Sequence, residues 1–295
     1  MLILLSDAFD AGLPGKLKKY GEVTDDKSRL ADVEVVLIRS KTKVTREYID
    51  SAPKLKLVIR GGVGLDNVDL DYAKEKGIIV HNTAAASSIA VAELAFALMI
   101  ALPNHLPKAD HTMHDGKWMK KELKRTELYG KKLGILGMGR IGTEIGQRAK
   151  AFGMSVIAYD PFVEKSNVAE MKSDIKELLG ESDYISLNMP LTEETNGLIN
   201  KESLAGCKDG AFVINSGRGK CVVEEDVVEA LKSGKLAGFA TDVWYSDPPE
   251  NSPLLNAPNV IMAPHIGAST KENLLRIGEI IDDLIGKYVA EFHGK

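Results

Sequence analysis

Three stretches hold residues whose types and spacing suit chemistry. The first is KKLGILGMGRIGTEIGQRAKAFGMSVIAYD, where Gly137, Gly139 and Gly142 form G-x-G-x-x-G between an apolar strand pattern and a helical one. Gly137 permits a tight turn, Gly139 lets backbone approach a pyrophosphate, and Gly142 lets helix meet strand, so that phosphates face a helix N-terminus. Asp160 ends the next strand, about 20 residues on, where an acid accepts hydrogen bonds from the ribose hydroxyls of a dinucleotide. Its charge would repel a 2′-phosphate, which favours NAD over NADP.

The second stretch, AFVINSGRGK, sets Arg218 directly after a buried strand, between glycines. A guanidinium at a strand's carboxyl end can grip a carboxylate by two parallel hydrogen bonds and polarise an adjacent carbonyl, which Lys cannot reproduce. A structural Arg satisfying loop carbonyls fits the same residues. The third runs DVWYSDPP and then, further on, APHIG, so that Asp242 and Asp247 precede His265. Hydride removal from an alcohol carbon requires the hydroxyl proton to leave too, and imidazole suits that exchange near neutrality. A carboxylate partner would orient the ring and stabilise its protonated form, and spacing leaves open which Asp supplies it. His105, His111 and His114 in PNHLPKADHTMH lack a nearby Cys or carboxylate set with ligand spacing, so a solvated segment is preferred to a metal site.

These residues need strand ends to stand on. Early in the chain LILL, VEVVLI, LKLVI and IIVHN alternate with helical patterns such as KVTREYIDSAPKL and VDLDYAKEKG, which predicts a parallel sheet covered on both faces. A second series, KKLGILG, SVIAYD, YISLN, AFVINS, GFATDV and VIMAPH, predicts a larger doubly wound domain. The run AVAELAFALMIAL joins the two as a helix apolar nearly all round, to be buried between domains or subunits. The last segment, KENLLRIGEIIDDLIGKYVAEF, has apolar residues at helical spacing and is expected to fold back on the first domain. The boundaries read as 1–88 with 271–295 for one domain and 89–270 for the other.

At 295 residues the chain is long enough for two cores of ordinary size. A net charge of -4 offers no global field to gather a polyanion, which argues against nucleic acid and membrane surfaces and for small-molecule partners. Cys207 and Cys221 are too few for a disulfide framework and read as structural thiols in a reducing compartment. MLILLSDAFD has no basic region ahead of its apolar run and reads as a first strand, not a signal peptide. The run from Ile89 to Leu102 is short for a bilayer and carries Glu93. A cytoplasmic location follows.

Taken in order, the glycine motif with its downstream Asp, SGRG, the acidic stretch and PHIG resemble the D-isomer specific 2-hydroxyacid dehydrogenase family over essentially the whole chain. Within it, IRSKTKVT, IRGGVGLDNVDL, DGKWMKKELKRTELYGKKLGILGMGRIG and PHIGASTKE are most similar to the phosphoglycerate dehydrogenase branch. The resemblance implies an α/β protein of two doubly wound parallel-sheet domains, a flavodoxin-like substrate domain and a Rossmann NAD-binding domain, assembled as a homodimer. It implies catalytic roles for Arg218 and His265, with Asp247 aligned on the family's usual Glu as partner of the imidazole. Asp242 matches the contact to the nicotinamide carboxamide.

Arg140 and Ile141 match the pyrophosphate loop, and Pro190 and Thr195 the segment lining adenosine and ribose. Val63 and Gly64 fall where backbone N–H groups hold the substrate carboxylate. Arg39, Arg60 and Lys120 fall where basic groups meet a substrate phosphate, Lys120 reaching in from a second subunit. Two positions depart from the pattern: Asp247 is one methylene shorter than Glu, and Lys120 keeps the charge of the more usual Arg but loses its fork. The sequence ends after KYVAEFHGK, so serine feedback through an appended regulatory domain is expected to be absent.

The implied reaction is NAD-dependent oxidation of D-3-phosphoglycerate to 3-phosphohydroxypyruvate, as in serine biosynthesis, with His265 as general base. Reduction of glyoxylate or hydroxypyruvate is the alternative on the same fold. A dinucleotide-sensing, corepressor-like binding protein is a third reading, from another class.

Overall fold

The computed structural model describes residues 1–294, which form two units, Met1–Ser88 with the segment from Ala268 onward, and Ile89–Gly267.

The first unit carries a parallel sheet of β1 (Leu2–Leu5), β2 (Glu22–Thr24), β3 (Val35–Ile38), β4 (Leu57–Arg60) and β5 (Ile79–Asn82). Its order is β2-β1-β3-β4-β5, that of flavodoxin-like sheets. LILL, VVLI and LVIR are continuous apolar runs because helices cover both faces and both faces are buried. Successive side chains alternate between two cores. Leu4, Val36, Ile38 and Val58 point one way, while Ile3, Val35, Leu37, Leu57 and Ile59 point the other, onto the helix Lys271–Phe292. That helix starts at Thr270, whose hydroxyl accepts the Asn273 N–H at 3.0 Å. It buries Ile277, Ile281, Ile285 and Tyr288, a stripe at helical spacing.

The second unit has seven parallel strands: β6 (Lys132–Leu136), β7 (Ser155–Tyr159), β8 (Glu170–Met171), β9 (Tyr184–Leu187), β10 (Ala211–Asn215), β11 (Leu236–Thr241) and β12 (Val260–Met262). Their order, β12-β11-β10-β9-β6-β7-β8, is the Rossmann arrangement with one strand added at an edge. The chain reverses its direction of travel across the sheet between β6 and β9, the place where doubly wound sheets bind ligands.

Two elements differ from the sequence pattern. β2 and β8, of three and two residues, are edge strands whose sequences, EVT and EM, hold no apolar run. The helix carrying AVAELAFALMIAL runs Ala84–Ala101, beginning in small residues ahead of that run. At 18 residues it is long and apolar enough to cross a membrane by length and composition, yet 56% of it is buried within the protein. Ala92, Ala95, Phe96, Leu98 and Met99 pack with Leu133 and Ile135 of β6, and Ala85, Ile89, Glu93 and Ala97 form an exposed stripe four residues apart. Cys207 and Cys221 are free and buried, and burial pushes the Cys207 thiol up to about 11.

Candidate functional site

The three glycines between β6 and the helix Arg140–Ala151 meet three different surroundings. Gly137 has φ +93, and a Cβ there would lie 2.9 Å from the Asn188 carbonyl carbon and the Met189 nitrogen. A Cβ on Gly142 would stand 2.3 Å from the Gly137 carbonyl oxygen. One on Gly139 would meet nothing within 4 Å, and no side chain caps the helix that begins there. The protein's own packing thus requires the first and third glycines, and the second keeps open ground before a helix N-terminus. That ground fits a pyrophosphate.

Asp160, just past β7, accepts the Met138 N–H on Oδ2 at 2.8 Å and the Phe162 N–H on Oδ1 at 2.9 Å. A carboxylate has about four lone-pair sites, so acceptor capacity remains for ribose hydroxyls. Arg140 is exposed at the first position of the helix, and Ile141 packs against the core beneath it. Beyond β9, Thr195 Oγ1 donates to the exposed Pro190 carbonyl at 2.7 Å and accepts the Thr192 N–H at 2.8 Å, closing that loop on itself. These residues fit a dinucleotide.

SGRG, DVW and APHIG leave the sheet side by side, because Asn215 pairs with Thr241 and Thr241 with Met262 across β10, β11 and β12. The buried Asn215 side chain shapes the first of them: Oδ1 accepts the Gly217 N–H at 3.1 Å and Nδ2 donates to the Arg218 carbonyl at 3.0 Å. A Cβ on Gly219 would fall 2.2 Å from the Trp244 carbonyl carbon, so only glycine lets this turn pass. Arg218 is half-buried with extended backbone, and Nη1 donates to the Gly217 carbonyl at 2.8 Å.

His265 has φ +56, a left-handed conformation rare outside glycine. Its Nδ1 lies 2.5 Å from Oδ2 of Asp247, and both side chains are about half exposed. With Nδ1–H donating to the carboxylate, Nε2 carries the lone pair. Asp242 has a different task. It is 3% exposed and accepts the Ile266 N–H on Oδ1 at 2.8 Å and the Gly267 N–H on Oδ2 at 2.7 Å. Burial pushes its carboxyl up, against the pull of these two amides and of His265. Trp244 Nε1 donates to the Ala263 carbonyl at 3.0 Å from the other side of the turn.

In the first unit, Arg39 follows β3 and Arg60 ends β4, where Ile38 pairs with Arg60. A Cβ on Gly62 would strike Nη1 of Arg60 at 1.5 Å, so that guanidinium lies over the glycine. Nε of Arg39 is buried without a hydrogen-bond partner. Val63 and Gly64 are partly exposed in the turn that follows. Asn82 Nδ2 donates to the Val63 carbonyl at 2.7 Å, and the Gly62 N–H donates to Thr83 Oγ1 at 2.9 Å. Asp7 accepts the Arg39 N–H, and Asn67 donates to the Arg39 carbonyl at 2.8 Å. Lys120 belongs to the other unit, exposed on the segment after the helix Leu106–His114.

Asp7, Asn67, Asn82, Thr83 and Asn215 escaped sequence reasoning. The available signal was modest: Asp7, Asn82, Thr83 and Asn215 are polar residues at or just beyond the ends of apolar strands. His105 Nε2 meets the Lys124 carbonyl at 2.9 Å, and His111 and His114 are exposed. No cluster of metal-ligating side chains occurs among the described residues.

A family model described as "D-isomer specific 2-hydroxyacid dehydrogenase, NAD binding domain" matches residues 96–267. The chain is 46% identical to D-3-phosphoglycerate dehydrogenase of Methanocaldococcus jannaschii over 88% of its own length and 50% of that protein. It is 45% identical to hydroxypyruvate reductase of Thermotoga maritima over 86% of its length and 85% of that protein. It therefore spans about half of the first relative and most of the second. D-lactate dehydrogenase of Aquifex aeolicus, solved with NAD and lactic acid, matches with a TM-score of 0.86 at 30% identity, covering 99% and 96% of the two chains.

Proposed function

Since the chain belongs to the D-isomer specific 2-hydroxyacid dehydrogenase family and takes NAD as its cofactor, we propose that it oxidises D-3-phosphoglycerate to 3-phosphohydroxypyruvate. The observation that carries the choice of substrate is the pair Arg39 and Arg60 at neighbouring strand ends, with the Arg39 Nε buried and unpartnered. Two guanidinium groups so placed suit the oxygens of a phosphate monoester.

In this reading NAD, when bound, supplies the acceptor for the C2 hydrogen. His265 takes the C2 hydroxyl proton on Nε2, while Asp247 holds Nδ1–H and balances the charge of the imidazolium. Arg218 grips the substrate carboxylate and polarises the forming carbonyl. The Val63 and Gly64 amides hold the other carboxylate oxygen. Gly137, Gly139, Gly142, Arg140 and Ile141 receive the pyrophosphate, Asp160 the ribose hydroxyls, and Pro190 and Thr195 line the adenosine. Asp242, its oxygens still having lone pairs to spare, accepts from the nicotinamide carboxamide. The first unit is then the substrate domain and the second the cofactor domain.

A homodimer completes this reading, with Lys120 reaching the phosphate bound by its partner. Trp118, 76% exposed two residues before Lys120, supports a covered surface there. Two buried thiols without a disulfide support work in the cytoplasm.

Hydroxypyruvate reduction is the second reading, favoured by the match in length to the Thermotoga maritima enzyme. NADH formation at alkaline pH with D-3-phosphoglycerate, D-glycerate, glycolate and D-lactate decides between them. The highest kcat/KM is expected for D-3-phosphoglycerate. A higher value for D-glycerate moves the assignment to hydroxypyruvate, and no turnover with any substrate leaves a dinucleotide-sensing protein.

A further inference from the structure

Arg218 stands between two glycines in SGRG, a loop that carries little side-chain packing of its own. We infer that Asn215 is the positioning residue that sets the orientation of Arg218 through two hydrogen bonds to that loop. Its side chain is 1% exposed. The amide oxygen accepts the Gly217 N–H, and the amide nitrogen donates to the Arg218 carbonyl, at 3.1 and 3.0 Å.

A primary amide is the neutral group of this size that offers both an acceptor and a donor. Without it, the buried Gly217 N–H would lose its acceptor, and the Arg218 carbonyl would be left with the Cys221 N–H at 3.2 Å. The loop has little other room: Gly217 is pressed toward the Met189 carbonyl and Gly219 against the Trp244 backbone. The pair Asn215 and Arg218 is also tied to the acid–base side of the site. The Asn215 main-chain carbonyl accepts the Asp242 N–H at 3.1 Å, and Asp242 clasps the two amides after His265. The Asn215 side chain thus holds the backbone that carries the guanidinium, and its main chain anchors the carboxylate that holds the imidazole turn.

The inference rests on the reading of Arg218 as the group that grips substrate. Its test is a double-variant cycle in kcat/KM on the full chain, with Asn215→Ala, Arg218→Ala and both together. A size-preserving Asn215→Asp, which retains the acceptor and removes the amide donor, is measured alongside. NADH affinity and Tm report whether each variant is folded.

Both Asn215 variants are expected to lose on the order of 10²-fold in kcat/KM, as a misplacement of about 1 Å does, with a parental Kd for NADH. The double variant should fall no lower than Arg218→Ala, because residues acting as one unit are not additive. Losses that multiply, or a parental kcat/KM in Asn215→Asp, overturn the inference while leaving Arg218 its role. A parental kcat/KM in Arg218→Ala overturns that role and the inference together.

Discussion

Oδ2 of Asp247 stands 2.5 Å from Nδ1 of His265, so the shorter acid reaches the ring that a Glu meets in the family pattern. His265→Asn is expected to lower kcat by about 10² to 10⁴, the usual contribution of a general base. Asp247→Asn should cost about 10- to 10³-fold, since an amide that turns its NH₂ toward Nδ1 selects the wrong tautomer. Steady-state NADH formation measures both, and near-parental turnover in His265→Asn would remove it from the mechanism.

On the proposed reading, Arg60 separates phosphorylated from plain substrates. Arg60→Ala should reduce kcat/KM for D-3-phosphoglycerate by about 10- to 100-fold, the worth of a lost charge-assisted contact, and leave D-glycerate within about threefold. Equal losses for the two would show that Arg60 does not meet a phosphate.

On the proposed reading, Asp160 selects which dinucleotide enters. Asp160→Ala should shift the ratio of kcat/KM for NAD over NADP by about 10- to 100-fold toward NADP, from lost ribose hydrogen bonds and relieved repulsion. An unchanged ratio would confine Asp160 to holding the Met138 and Phe162 amides.

Gly139 and Gly142 should fail in opposite ways. Gly139 has φ -74 and open space around a Cβ, so Gly139→Val is expected to keep its Tm and raise the Kd for NADH at least ~10-fold. Gly142→Val forces a side chain onto the Gly137 carbonyl and should cost roughly 1–3 kcal/mol of stability by overpacking. Thermal melts and NADH titration read the two effects separately.

Glu224 makes stability depend on pH. It is buried and accepts from Ser252 Oγ at 2.7 Å, and burial pushes its carboxyl above the ordinary value. The folded state therefore keeps the proton to higher pH than the unfolded chain. Stability is greatest below the unfolded value and falls as pH rises through the raised one. Glu224→Gln should flatten that decline, seen as a smaller drop in urea midpoint between mildly acidic and neutral pH. An identical drop in both proteins would assign the pH dependence elsewhere.

Much of the fold was legible because parallel sheets buried on both faces leave continuous apolar runs, and ten of the twelve strands carry one. β2 and β8 did not show, since EVT and EM hold no apolar run, whereas the equally short β12 reads VIM. At the site, the glycine triad could be read because its spacing, between a strand pattern and a helical one, is local, although the backbone that confines Gly137 belongs to Asn188 and Met189. Asn215 and the second task of Asp242 could not. The Asp242 bonds to Ile266 and Gly267 join residues 24 and 25 apart, and no local period records which amides a buried carboxylate will meet. Asp247 lay between: order along the chain supplied the candidate, while the pairing with the ring depends on β11 and β12 lying side by side.

Arg218, Asp247 and His265 all belong to the second unit, whereas Arg39 and Arg60 belong to the first. On the proposed reading, the bond-making apparatus and the part that recognises the far end of the substrate stand on different sheets. The first sheet could exchange its strand-end arginines for other side chains and select a new hydroxy acid, without retuning the proton transfer built on β10, β11 and β12.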